Sequence, residues 1–242
     1  MRFSVMRWAV CVVVLMVAVV VFGQQGGVLE RVDPADLPGV EVDVEAGWMD
    51  LKGVVVQQKG LLELAVTTRG GKEHEAVFAV EARADHVHLG LLMLGVNPGS
   101  TGAWRYVNNE PMPIDPTGGR VAISVVRVDD AGGEVERPIS DYIINRVDNT
   151  KLPSSEFVFA GGRMNDALEG RFRYMANGTG DLVTLVSFPE RDEVLAYPKA
   201  ASDENDRVTW VADETVVPEV GTEVRVRIRR MVGEAEEAGE GE

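Results

Sequence analysis

Cysteine is almost absent from this chain: Cys11 is the one thiol in 242 residues. A disulfide framework is therefore excluded. Cations are also scarce, with 24 Lys and Arg against 39 Asp and Glu, a formal charge of −15 and a pI near 4.7. Most of such a surface repels phosphate, which argues against nucleic acid as a partner. Aromatic residues make up only 6%, yet 45% of the chain is apolar, so it is not disordered as a whole and can close a core. Serine-hydrolase signatures are missing too, since no Gly-x-Ser-x-Gly elbow or Ser-x-x-Lys pair occurs. The length suits one large domain or two small ones.

Long apolar runs are rare, and the longest sits at the start. Arg2 and Arg7 precede unbroken apolar sequence from Trp8 to Phe22, followed by Gly23-Gln24-Gln25-Gly26. A positive head, an apolar stretch and small residues at Val21 and Gly23 describe a secretory signal, with cleavage after Gly23. The run is shorter than the ~20 residues that cross a bilayer, so no stable span is expected after cleavage. The alternative is an uncleaved anchor. Processing leaves 219 residues, takes the charge from −15 to −17 by removing Arg2 and Arg7, and removes Cys11. Thiol catalysis, thiolate zinc and cysteine-ligated iron–sulfur clusters are then excluded in a periplasmic or extracellular product.

Residues 24–39 read as a flexible lead-in, broken by Asp33-Pro34 and the turn Asp36-Leu37-Pro38-Gly39. From Val40 the pattern has period two: Val40, Val42 and Val44 alternate with Glu41, Asp43 and Glu45. Further strands are expected over 47–52, 53–58, 61–68 and 76–82. Asp85 is expected to cap a helix over about 85–95 that Gly95 stops. Residues 97–102 read as loop, 121–128 as a strand, and 130–133 as a hairpin turn into 134–139. Tyr142-Ile143-Ile144 stays ambiguous between helix and strand. Strands at 157–160, 172–175 and 182–187 follow, with Asn177-Gly178-Thr179-Gly180 as a hairpin turn between the last two. Val224, Val226 and Ile228 alternate with Arg225, Arg227 and Arg229, and Gly233–Glu242 reads as an acidic disordered tail. The expected fold is mainly β: an antiparallel sandwich or open barrel with one short helix packed on it.

Four ordered segments carry a family resemblance. They are Gly70-Gly71-Lys72-Glu73-His74-Glu75-Ala76, then Asp85-His86-Val87-His88-Leu89-Gly90-Leu91-Leu92 running to Pro98-Gly99, then Phe157-Val158-Phe159-Ala160-Gly161-Gly162, and Val217-Pro218-Glu219-Val220-Gly221-Thr222-Glu223-Val224. Together they resemble the YdjY domain over about residues 40–232, a family of unknown function. Some of its members are labelled ferredoxins, which the resemblance does not carry here, because Thr67 stands where relatives hold cysteine. No cofactor is expected, and an iron–sulfur cluster least of all. Ala76 and Gly162 likewise replace serines of the family pattern.

All three histidines, His74, His86 and His88, fall within fifteen residues. The sharp reading is a metal or acid–base site made by His74, Glu75 and His88. Its structural competitor is a hydrogen-bonded tie between strand entry and helix, favoured because metal-ligand spacing is absent and residues two apart on a helix do not share a face. The glycines of 95–102 follow a helix rather than leading into one, so they suit an exit loop better than a phosphate cradle. Arg225, Arg227 and Arg229 form either an anion-binding stripe or a solvated face paired with acids, the second being expected. Asp192-Glu193 and Asp203-Glu204-Asn205-Asp206 are expected to be solvated loops rather than calcium ligands. The functional expectation is an exported, non-enzymatic module that binds an envelope protein or small ligand. The alternative is a metal-dependent or acid–base enzyme centred on His74, Glu75 and His88.

Overall fold

Period-two stretches make strands here, and the strands close on themselves. The computed structural model describes residues 37–129, 131–166, 172–186, 191–198 and 209–231. The expected signal segment, nearly all of the expected lead-in, the Asp203–Asp206 run and the acidic tail lie outside them. The first part of the chain forms β1 (Val40–Asp43), β2 (Trp48–Val55), β3 (Leu64–Thr68), β4 (Ala76–Val80) and α1 (Ala84–Met93). Next come β5 (Pro98–Ser100), β6 (Ala103–Val107), β7 (Glu110–Ile114), β8 (Thr117–Gly118), β9 (Arg120–Val128), β10 (Glu134–Pro138) and β11 (Ile143–Asn145). The last part forms β12 (Glu156–Phe159), β13 (Met164–Asp166), β14 (Phe172–Tyr174), α2 (Ala176–Thr179), β15 (Asp181–Thr184), β16 (Leu195–Ala196), β17 (Trp210–Ala212) and β18 (Glu223–Arg230).

Eight strands close a barrel in the order β2, β18, β9, β12, β16, β15, β3, β4 and back to β2. The expected mainly β chain with one short helix stands. What differs is that the barrel is closed, and that β15 with β16 and β3 with β4 run parallel. The closing seam is β2 on β4, where Gly53 faces Val80. A Cβ at Gly53 would lie 2.6 Å from the Ala79 carbonyl oxygen, so only glycine admits the neighbouring backbone. Gly53 therefore does not break the strand into 47–52 and 53–58; β2 runs through it.

Alternation decides the inner face. Met49 and Leu51 on β2, Val121, Ile123 and Val125 on β9, and Val224, Val226 and Ile228 on β18 all join one buried core. Phe157 and Phe159 on β12 join it as well, and Phe78 meets Tyr142 edge-on at 5.3 Å. Burying each large side chain of this kind is worth about 1.5–3 kcal/mol, and here packing rather than disulfides supplies the stability. The ambiguous 142–144 segment is both things in turn: a 3-10 turn over Ile139–Tyr142 leads into β11.

Helix α1 packs on the barrel through Gly90, where a Cβ would sit 2.8 Å from the Met49 sulfur. Its N-cap is Arg83 rather than the expected Asp85. Asp85 lies inside the first turn, where its charge still suits the positive end of the helix. Gly95, at φ +74°, stops the helix as expected. The Gly95 and Val96 amides donate back to the carbonyls of Leu92 and Leu91, the Schellman pattern.

Candidate functional site

The segment after the Phe-Val-Phe-Ala strand turns on two left-handed glycines, Gly161 at φ +95° and Gly162 at φ +66°. That turn aims the Gly161 carbonyl at the Tyr174 hydroxyl, 3.0 Å away. Gly162 must be glycine here, because a Cβ would lie 2.4 Å from that same hydroxyl. Tyr174 comes from the β13–β14 hairpin, and the chain then enters α2 instead of the expected hairpin turn. Strand β15 beyond it pairs with β3 and β16, not with β14. A tight turn over 177–180 is present as expected, but one helical turn with Gly180 at φ +76° makes it.

Between α1 and this returning segment lies an open cleft of about 840 Å³. Leu89, Met164 and Met175 give it apolar wall, and Arg83, His88 and Arg173 give it polar wall. Asn177 links the two sides, its side-chain carbonyl accepting the Asp85 amide at 3.1 Å. Asp85 is itself clamped by Arg83, with nitrogen–oxygen distances of 3.0 and 2.7 Å. Burial opposes ionisation of Asp85, but bonds from Arg83 and Asn177 win and hold its carboxyl below the ordinary value.

His88 is held in the cleft by two aromatic rings and one hydrogen bond. Its ring meets Phe159 edge-on at 4.8 Å and Tyr174 at 5.3 Å. Its Nδ1 lies 3.0 Å from the Tyr174 oxygen. The direction of this bond follows from its neighbour. A carbonyl can only accept, so the Tyr174 proton goes to Gly161, and the Tyr174 oxygen must accept from Nδ1–H. The neutral ring then carries its lone pair on Nε2. Burial pushes the His88 imidazole below its usual value, against the Gly161 carbonyl and Asp85, which favour the charged ring. Burial likewise raises the Tyr174 hydroxyl, helped by Asp85 and Asp192. The pair is therefore a neutral phenol and a neutral imidazole, fitted to hydrogen bonding.

The other two candidates lie apart from this arrangement. His74 sits in a 3-10 turn over Glu73–Glu75, with 77% of its side chain exposed, and its Nε2 is 3.5 Å from Glu75. Among the described residues, no group of three His, Cys, Asp or Glu side chains is placed to hold a metal, so His74, Glu75 and His88 do not converge on one. The Gly-Gly-Lys-Glu-His-Glu motif instead shapes backbone. Buried Thr67 donates to the Gly180 carbonyl at 2.9 Å and accepts the Lys72 amide at 3.1 Å, while Glu73 accepts the Gly70 amide. His86 is half-buried on α1, its Nε2 4.0 Å from Asp85.

Two further expectations are decided here. The arginine stripe is paired with acids: Asp50 takes Arg225 at 3.0 Å and both ends of Arg227 at 2.6 Å, and Glu136 takes Arg229. Asp192-Glu193 is not a solvated loop, since the two are 8% and 0% exposed. Glu193 accepts the Gly102 amide at 3.3 Å, and burial raises the Asp192 carboxyl, reinforced by Asp181 and opposed by Arg163 and Lys72. Reading local polarity missed this, because the groups that meet them come from elsewhere in the chain, Gly102 being 91 positions from Glu193. Tyr174, Arg173 and Asn177 carried no local signal either; Gly161 did, through its motif.

With the geometry in place, comparison with known proteins adds one finding. The YdjY domain family model matches residues 40–229. No curated protein and no solved structure matches the chain.

Proposed function

The chain belongs to the YdjY domain family, and from that premise we propose that it is an exported, non-catalytic binding module whose ligand seats in the His88–Tyr174 cleft. Export rests on the apolar stretch behind Arg2 and Arg7. Binding rests on one observation above all. The cleft joins an apolar wall to polar groups, of which Arg83, Asp85, His88 and Tyr174 are already oriented by bonds to one another, and its volume of about 840 Å³ suits a small ligand. By contrast the barrel lumen is filled, with Met49, Leu51, Val55, Val125 and Val226 at 0% exposure. His88, Tyr174 and Asp85 are held in place by these bonds before a ligand arrives, and preorganisation of this kind raises affinity.

The acid–base alternative draws support only from His88. His74 is exposed, Glu75 beside it is half-buried, and neither lines the cleft. A fragment survey read by amide chemical shifts tests the binding reading. Ligands are expected to move the signals of Gly161, Tyr174, Asn177 and Gly178. Hits that cluster elsewhere, or turnover of any fragment that His88→Gln abolishes, would refute it.

A further inference from the structure

We propose that the cleft is built for a small organic acid: an apolar body against Leu89, Met164 and Met175, a carboxylate held by Arg173, and a hydroxyl or N–H donating to His88 Nε2. This rests on the reading of the cleft as the binding site and names the ligand class.

Each part of the ligand answers a part of the wall. Leu89, Met164 and Met175 offer apolar surface, and methionine adapts to irregular shapes. Of the two arginines lining the cleft, Arg83 is committed to Asp85 by two bonds. Arg173 is exposed and makes no ion pair among the described residues. A guanidinium left open on a chain of charge −15 is a counter-charge for an incoming anion, and its planar fork matches a carboxylate. Asp85 does not repel that anion strongly, because Arg83 already covers it at 2.7 Å.

The third requirement comes from the proton on His88. Because Gly161 takes the Tyr174 proton and Tyr174 takes the Nδ1 proton, Nε2 has only a lone pair to offer. It is satisfied by a donor and left unpaired by an acceptor. A hydroxy or amino acid with an apolar side group meets all three demands together.

Three matched probes separate the demands. Mandelate has the apolar ring, the carboxylate and the hydroxyl; mandelamide lacks the negative charge; phenylacetate lacks the hydroxyl. Titration of the purified full chain, followed by amide shifts, is expected to place mandelate in the cleft at least about tenfold more tightly than either analogue. Arg173→Gln, at an exposed site where the fold is not at stake, is expected to lower mandelate to the affinity of mandelamide. His88→Leu is expected to erase the preference for mandelate over phenylacetate. Equal binding of mandelate and mandelamide, or an Arg173→Gln protein that keeps the preference, overturns the acid class while leaving the cleft a binding site. Fragments of other chemistry filling the cleft when none of the three probes does would overturn it in the same way. If no ligand of any kind perturbs the cleft, the binding reading falls with it.

Discussion

His88 shows how one side chain takes its chemistry from atoms outside its own element. Its lone pair is on Nε2 because Tyr174, 86 positions away, is turned by a carbonyl on a third segment. Removing the hydroxyl by Tyr174→Phe strands both the Nδ1–H and the Gly161 carbonyl. The expected cost is about 1–3 kcal/mol, read from the urea midpoint. The same environment makes the fold sensitive to acid. His88 in the folded chain titrates below its usual value of 6.5, so above that value both states are neutral and stability is complete. As the pH falls through 6.5 the unfolded chain takes up its proton first, and stability drops until the folded pKa is passed. His88→Gln is expected to flatten the stability profile across that window. An unchanged slope would mean that burial does not hold the ring neutral.

At the scale of strands, the outer face of β18 depends on one carboxylate. Asp50 is 2% exposed and faces Arg225 and Arg227, and Arg227 also lies 4.6 Å over the Trp48 ring. Asp50→Ala leaves two guanidinium groups without their central partner, at a cost of about 3 kcal/mol. Glu134→Ala removes only an exposed partner of Arg225 and is expected to cost under about 1 kcal/mol. Denaturation of the two variants side by side checks the difference. Glu136 belongs to the same face: the Arg229 bond, against burial, pulls its carboxyl down to about 2. Its contribution is present above the ordinary carboxylate value and fades as the pH falls toward 2. The alternation of valine and arginine on this strand was plain in the sequence. Its acid partners were not, because Asp50 is 177 positions from Arg227.

The described domain is a barrel whose seam joins residues close in sequence and whose longest pairing joins its two ends. Trp48 stands opposite Arg229 on neighbouring strands. Such non-local pairing makes folding slow relative to a helical protein. Export with cleavage predicts a product that begins at Gln24 and lacks Cys11, which intact-mass measurement of the secreted form checks. A mass that retains residues 1–23 would instead support the anchored alternative.

Composition and periodicity alone determined much of this protein. They assigned it to the mainly β class, located α1 with its Gly95 stop, picked out the strands at 40, 76, 121 and 224, and named His88 among the candidates. These properties are local: a residue's own polarity and its neighbours two or four positions away decide them. Closure of the barrel, the parallel pairs, the burial of Asp192 and Glu193, and the meeting of His88, Tyr174 and Gly161 were settled only in three dimensions. Each depends on contacts between segments distant along the chain, and sequence periodicity carries no term for which distant surface will cover a given side chain.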